Sequence, residues 1–231
     1  MKKTSTLLTI ILLVASLSSC SVTRYTSQTL RETPVNDIPV IEPYSSIYQL
    51  SLRDNEELSD SLTNVAHEHL LDILEAANSF PTGSVLYMQD ADFYQEIGYE
   101  GAQFFDRCYG NKKKNIEALS LPESLREFMH DNNLPYVMLI FQDGFTRTSG
   151  DYALEVGAAV AEAILTTVLS LGTITAYSVP LKDNLNYRVL IADAEANRVA
   201  YFNRVSVERN PTSRSNNFYM MERAFSRYPK K

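Results

Sequence analysis

The stretch from Pro135 to Gly172 constrains the fold more than any other. Tyr136-Val137-Met138-Leu139-Ile140-Phe141 is an unbroken apolar run of strand length. A strand without polar alternation is one covered on both faces, so this run is expected at the centre of a sheet. Gln142-Asp143-Gly144 closes it, and Thr146-Arg147-Thr148-Ser149-Gly150-Asp151 supplies a polar turn. Ala153 to Leu171 then carries apolar residues nearly all round, the pattern of a buried helix. Small residues at Gly157, Ala158, Ala159 and Ala161 would let that helix lie close on the sheet. Val156 to Val179 is apolar enough to raise a membrane span, but Glu162 lies inside it and Pro180 ends it.

The N-terminus speaks of location. Lys2 and Lys3 precede an apolar segment, Leu7 to Leu17, that is too short to span a bilayer stably. Leu17-Ser18-Ser19-Cys20 follows. This run resembles the bacterial lipobox, in which small residues precede the cysteine that is lipidated. The resemblance implies a diacylglycerol on the Cys20 thiol, cleavage before Cys20 and acylation of the new amine. Two or more acyl chains hold a protein stably on a membrane without a transmembrane helix. By analogy with lipoprotein sorting, the non-acidic Ser21 implies the outer membrane, and the lack of an acidic cluster after Cys20 implies its periplasmic face. The plainer alternative is an ordinary secretory signal with an incidental cysteine.

These readings divide the chain into a signal peptide (1–19), a lipidated flexible tether (20–43) and one α/β domain (44–231). The tether is rich in Ser and Thr, carries Pro34, Pro39 and Pro43, and would reach about 75 Å if extended. Its Ile38 to Ile41 could pack as an edge strand. Lipidation of Cys20 would leave Cys108 as the one remaining thiol, buried and inert or paired between chains. Its place after Phe104-Phe105 favours burial.

A hydrophobic content of 45% and a charged content of 21% exclude disorder of the whole chain. The formal charge is −7, and loss of Lys2 and Lys3 would take it to −9. That balance argues against a nucleic-acid binder.

Taken in order, Ile47 to Arg53 alternates as a half-buried strand, with Tyr48, Leu50 and Leu52 on one face. A helix is expected from about Glu56 to Asn78, capped by Asp54 or Asn55, with Leu58, Leu62, Val65, Leu70, Ile73, Leu74 and Ala77 on its apolar face. Ser84 to Met88 reads as a short strand. Asp90 to Cys108 reads as a helix interrupted at Gly98 and Gly101, and Tyr109 to Asn115 as a turn with a basic knot. Pro122 opens a helix carrying Leu125, Phe128 and Met129 that ends at Asn132-Asn133. Thr173 to Val179 is β-favouring. Asn186 to Asp193 and Arg198 to Val207 form a hairpin around Ala194 to Asn197. A terminal helix carries Phe218, Met221, Ala224 or Phe225, and Tyr228, with Ser213 or Ser215 as its cap. Early strands separated by helices, then a hairpin, imply an α/β (α+β) fold: a mixed sheet with helices on both faces and a C-terminal β-hairpin followed by a helix.

Tyr136 to Phe141, Thr146 to Asp151, the small-residue helix at Gly157 to Ala161 and the hairpin around Asp193 to Arg198 carry a second resemblance. The domain resembles periplasmic α/β lipoproteins whose fold is like the N-terminal domain of TolB. That group includes a curli-secretion lipoprotein, activators of penicillin-binding proteins and an exopolysaccharide-export lipoprotein. The resemblance implies a part in an envelope assembly, with an envelope protein or further copies of the chain as partner. It carries no site residue across. By the same analogy with pore-forming relatives, Val156 to Val179 could instead rearrange on assembly to contact lipid.

No catalytic motif stands out. His67-Glu68-His69 fails the zinc-protease pattern because Leu71 occupies the second histidine position. Two residues apart on a helix, the histidines point about 200° apart and cannot hold one ion, so both read as surface residues. No metal or other cofactor is implied. Arg147, Thr148, Ser149 and Gly150 are candidates for contact with an anion or partner at a helix start, although Asp151 opposes an anion and Thr148 or Ser149 serves equally as a plain N-cap. Lys112-Lys113-Lys114 reads as a solvated loop, or else touches an acidic partner or lipid headgroups. His130 sits at a helix end. No G-x-S-x-G supports a hydrolase. The function expected is a non-catalytic binding or assembly component on a membrane. The alternatives are a tethered hydrolase of peptidoglycan or glycan using Asp143 and Asp151, and a small-ligand binder with an apolar pocket.

Overall fold

The computed structural model describes residues 24–51, 55–76, 79–169 and 180–229, the side chains of 162–169 excepted. Its spine is β6 (Tyr136–Arg147), twelve residues long. The strand runs past the expected close at Gly144, because β7 (Asp183–Asp193) pairs with it antiparallel without a break from Tyr136↔Asp193 to Thr146↔Asp183. The other side of β6 is shared by two parallel strands in succession. β2 (Ile38–Ile41) meets it at Val40↔Met138, and β3 (Tyr44–Ser51) follows from Tyr44↔Phe141 to Leu50↔Arg147. Glu42-Pro43 separates the two, where proline has no N–H to give a ladder. β5 (Thr82–Leu86) lies parallel to β2, and β4 (Asn55–Leu58) antiparallel to β3. Beyond β7 come β8 (Arg198–Val207) and, at the edge, β1 (Arg24–Thr26). The result is the mixed sheet with helices on both faces, and a C-terminal hairpin followed by a helix.

Alternation along the strands builds two cores. On one face Val40, Met138, Ile140, Tyr187, Val189, Ile191 and Tyr201 are buried under α2 (Asp60–Ala76) and α7 (Arg214–Phe225). α1 (Gln28–Glu32) adds the fully buried Leu30. On the other face Val137, Leu139, Phe141, Leu190 and Phe202 lie under α3 (Ala91–Cys108), α4 (Lys113–Ile116) and α5 (Glu123–Asp131). α5 stops where Asn133 turns left-handed (φ 52°). The hairpin turn over residues 194–197 is held by Asp193, whose carboxylate accepts from the Ala196 amide at 2.9 Å, and by left-handed Asn197 (φ 48°).

Several expectations need correction. The stretch 20–43 is not a free tether from Arg24 onward: β1, α1 and β2 lie in it. Ile38, Val40 and Ile41 are buried, and β2 sits inside the sheet, between β5 and β6. The proline-interrupted run Ile38-Pro39-Val40-Ile41 looks like linker in sequence, yet the flanking strands β5 and β6 bury it. The helix expected from Glu56 starts at Asp60, because residues 55–58 pair back on β3 as a hairpin strand. Leu58 and Val65 are accordingly exposed, and Ala66, Leu70, Ile73 and Leu74 make the buried face. Gly98 and Gly101 do not interrupt α3. A Cβ on Gly98 would overlap the Tyr44 ring, and one on Gly101 would stand 3.3 Å from Phe141 and 3.4 Å from Leu139. Both glycines let the helix settle close on the sheet.

The largest departure concerns α6 (Ser149–Leu169). It was expected to be buried on the sheet, yet through Ala161 none of its side chains is buried, and Leu154 is 61% exposed. Both faces of the sheet are already taken, by α2 with α7 and by α3 with α5. Among the described residues no helix is long and apolar enough to cross a membrane. The β-favouring stretch Thr173 to Val179 and the Cys20 lipobox lie outside the described residues.

Candidate functional site

On the face of the sheet carrying α3, three adjacent strands change character at the same level. β6 runs Val137, Leu139, Phe141 and then Asp143; β7, in the opposite direction, runs Ala192, Leu190 and then Arg188 and Asn186; β8 runs Phe202 and then Arg204. Register lines these up as two rows, Tyr44–Phe141–Arg188–Arg204 and Ser46–Asp143–Asn186–Ser206. The apolar half of this face lies under the helices. The polar half emerges past the C-terminal end of α3 and lines a cavity of about 460 Å³.

Arg188 is the centre of that cavity. Its Nε stands 3.5 Å from Asp143 Oδ1, and its Nη1 3.7 Å from Asp106 Oδ1, at the end of α3. Asn186 donates to the second Asp143 oxygen at 2.9 Å. The guanidinium lies over Phe141, 5.2 Å from the ring centroid, and 5.9 Å from that of Phe105. Like charges opposite one another across a ladder destabilise it. Arg188 and Arg204 are such a pair. Arg188 is balanced by the two carboxylates, and Arg204 lies over the Tyr109 ring at 5.2 Å. Tyr44 makes the aromatic wall, stacked between Tyr94 (4.4 Å) and Phe141 (5.2 Å). Its hydroxyl donates to the Tyr94 carbonyl at 2.8 Å, and burial drives its pKa well above the ordinary tyrosine value. It stays a neutral donor. The arrangement offers a fixed cation, two acids and aromatic surface to a partner group bearing a carboxylate or phosphate.

On the opposite face at the same level the polar groups are sealed. Asn217 of α7 is fully buried. Its Oδ1 accepts from Gln142 Nε2 and from the Tyr187 hydroxyl, both at 2.6 Å, and its Nδ2 donates to the carbonyls of Pro211 and Ser213. Gln142 Oε1 accepts from Ser45 Oγ at 2.7 Å, and His67 Nδ1 stands 3.3 Å from that oxygen. Glu42 approaches His67 Nε2 at 3.5 Å. Ser45, His67 and Glu42 therefore form a triad-like line. A serine nucleophile must give its proton to the histidine, but Ser45 gives its proton to Gln142. This line ties α2 and α7 to the sheet.

The residues singled out from sequence lie elsewhere. Arg147 is buried against Glu155 of α6, donates from Nε to the Leu181 carbonyl at 2.8 Å and lies over Phe145. Thr148 caps α6: its Oγ1 accepts from the Asp151 amide at 3.2 Å and donates to the Asp151 carboxylate at 2.8 Å. Ser149 and Gly150 are exposed in the first turn. Asp143 is in the cavity, but Asp151 is not. His67 and His69 are half-buried rather than on the surface, while His130 is exposed beside Asp131 at 3.1 Å. Cys108 is fully buried, and desolvation pushes its thiol up to about 12. Among the described residues no group of three or more His, Cys, Asp or Glu could hold a metal ion. Sequence reading missed Arg188, Asp106 and Tyr44. Arg188 did leave a signal, as the single charged residue within the apolar run Tyr187 to Ala192.

No family model matches the sequence, and no curated protein matches it. Among solved structures the chain is similar to the PelC dodecamer from Paraburkholderia phytofirmans, with a TM-score of 0.37 and 8% identity over 90% of this chain and 96% of that one. It is also similar to the LpoB C-terminal domain from Salmonella enterica, with a TM-score of 0.31 and 8% identity over 78% of this chain and 90% of that one.

Proposed function

We propose that this chain is a lipid-anchored lipoprotein on the periplasmic face of the outer membrane, and that it acts there as a non-catalytic binding or assembly component of a cell-envelope complex. The anchor would be Cys20. The observation that carries the binding role is the polar row around Arg188. An open cavity there presents cation, acids and aromatic rings together, and among the described residues lining it no nucleophile and base stand in hydrogen-bond reach of each other. The partner is an envelope protein, or further copies of this chain, presenting an acidic group to Arg188 and Arg204. Thr148, Ser149 and Gly150, exposed at the start of α6, are a second candidate contact with such a partner, while Arg147 beside them is held by Glu155.

A tethered hydrolase is the other reading. Asp106 and Asp143 flank one cavity, but both face the Arg188 guanidinium. A carboxylate in that position serves as a counter-ion rather than as the proton donor a glycoside hydrolase needs.

Crosslinking in cells of the full-length chain, with Cys20→Ala as control, tests the proposal. The expected result is a specific envelope protein or a second copy, captured by the wild type and lost in the control. A monomer that captures neither overturns the assembly role. Hydrolysis of peptidoglycan abolished by Asp143→Asn would install the hydrolase reading instead.

A further inference from the structure

The lipidation site and the first strand are close in sequence. Four peptide steps separate Cys20 from Arg24, a span of at most about 14 Å. β1, which starts at Arg24, is the edge strand of the sheet beyond β8. A chain anchored at Cys20 therefore holds this edge against the bilayer.

The surface around that edge is basic in an acidic protein. Tyr25 of β1 reaches Glu117, at the end of α4, with its hydroxyl at 3.3 Å. α4 brings up Lys112, Lys113 and Lys114, all exposed, and only Lys113 has an acidic neighbour among its described contacts, Glu117 at 3.6 Å. Arg24 is exposed on β1 itself. Arg31 and Arg198 lie within electrostatic reach of the Tyr25 hydroxyl. Glu32, Glu117 and Glu195 are the acids nearest in sequence to these groups. Six basic side chains thus gather at one sheet edge of a chain whose formal charge is −7.

We infer that the β1 edge, with the lysines of α4 on one side and Arg31 on the other, is a membrane-docking surface that lies on anionic phospholipid headgroups. The inference rests on the anchored reading above. Each basic group near such a surface adds attraction that salt screens. The acyl chains hold the domain at the membrane, and the basic edge sets its orientation. The Arg188 cavity and the β4 edge are then left for a partner.

The test uses the full-length lipidated chain in phosphatidylcholine vesicles, with or without about one third phosphatidylglycerol. A dye is placed at Asn115→Cys, or at Glu57→Cys on the far edge, and energy transfer to headgroup-labelled lipid is read. The buried Cys108 does not compete for the dye. The expected result is a severalfold rise in transfer from position 115 in anionic over neutral vesicles, with no rise from position 57. The rise should vanish at roughly 0.5 M salt, where the Debye length falls to a few ångströms, and in Lys112→Glu/Lys113→Glu/Lys114→Glu. Equal transfer in both vesicle types, while the protein still floats with the vesicles, overturns this inference alone. Failure to float overturns the anchored reading and this surface with it.

Discussion

Gln142 and Asp143 are neighbours on β6, and their side chains meet opposite fates. Gln142 points under α7 into a network in which all four hydrogen-bonding positions of Asn217 are filled. Asp143 points past the end of α3 into the open cavity, where its ionic partner Arg188 stands at 3.5 Å, longer than a good charged hydrogen bond. Buried polar groups are costly unless every partner is present, so the sealed side is structural. Loosely paired groups at an open surface can exchange partners at small cost, so the open side is the one suited to recognition.

The sharpest way to break this comparison is Asn217→Leu. It leaves Gln142 and Tyr187 without their acceptor and the Pro211 carbonyl without its side-chain donor, while the Ser213 carbonyl keeps the backbone N–H of residue 217. The expected loss is about 3 kcal/mol or more, read from the urea midpoint. A loss below about 1 kcal/mol would mean the network is not what fixes α7.

Gly98→Val probes the wall between the two regions. Its side chain must displace Tyr44, which lines the cavity and stacks on Phe141. The expected cost is about 2 kcal/mol, with weaker partner capture and a smaller change on Gly98→Ala.

Alkaline titration reads the buried tyrosines on both faces. Burial, then Glu117, raises Tyr25 to about 12, and burial raises Tyr201 to about 12. A folded-state pKa above the unfolded value near 10 means that stability is fully present below pH 10 and is lost as pH rises through 12. The urea midpoint should stay flat up to about pH 10 and then fall, with the Tyr25→Phe variant falling less.

Arg188→Leu is expected to cost under about 1 kcal/mol of stability, because its ion pairs are long and partly solvated. Asp106→Asn should change stability by less than about 0.5 kcal/mol. Arg188→Leu should nevertheless abolish partner capture in cells. A loss of stability as large as that of Asn217→Leu would make the open cavity a structural element after all.

Much of the fold was legible. The apolar run at Tyr136 to Phe141 announced the central strand, the hairpin at Ala194 to Asn197 announced its turn, and Leu125, Phe128 and Met129 announced the face of α5. Burial of Cys108 followed from its aromatic neighbours. The candidate site was scarcely legible, because it is made by register. Tyr44, Asp143, Arg188 and Arg204 come from four different strands, and only strand pairing puts them in adjacent rows.

What the sequence by itself determined is the alternation of side chains within each segment, and with it the class of fold, since burying an apolar face is a local demand. Three things waited for the tertiary structure. β1 and β2 belong to the sheet because β8, β5 and β6 offer them unpaired edges. α6 stays exposed through Ala161 because other helices had already covered both faces. Of two neighbouring polar residues on β6, one is sealed and one is open, because α7 reaches past that level on its face and α3 stops short on the other. These depend on which element competes for which surface, and no single segment carries that information.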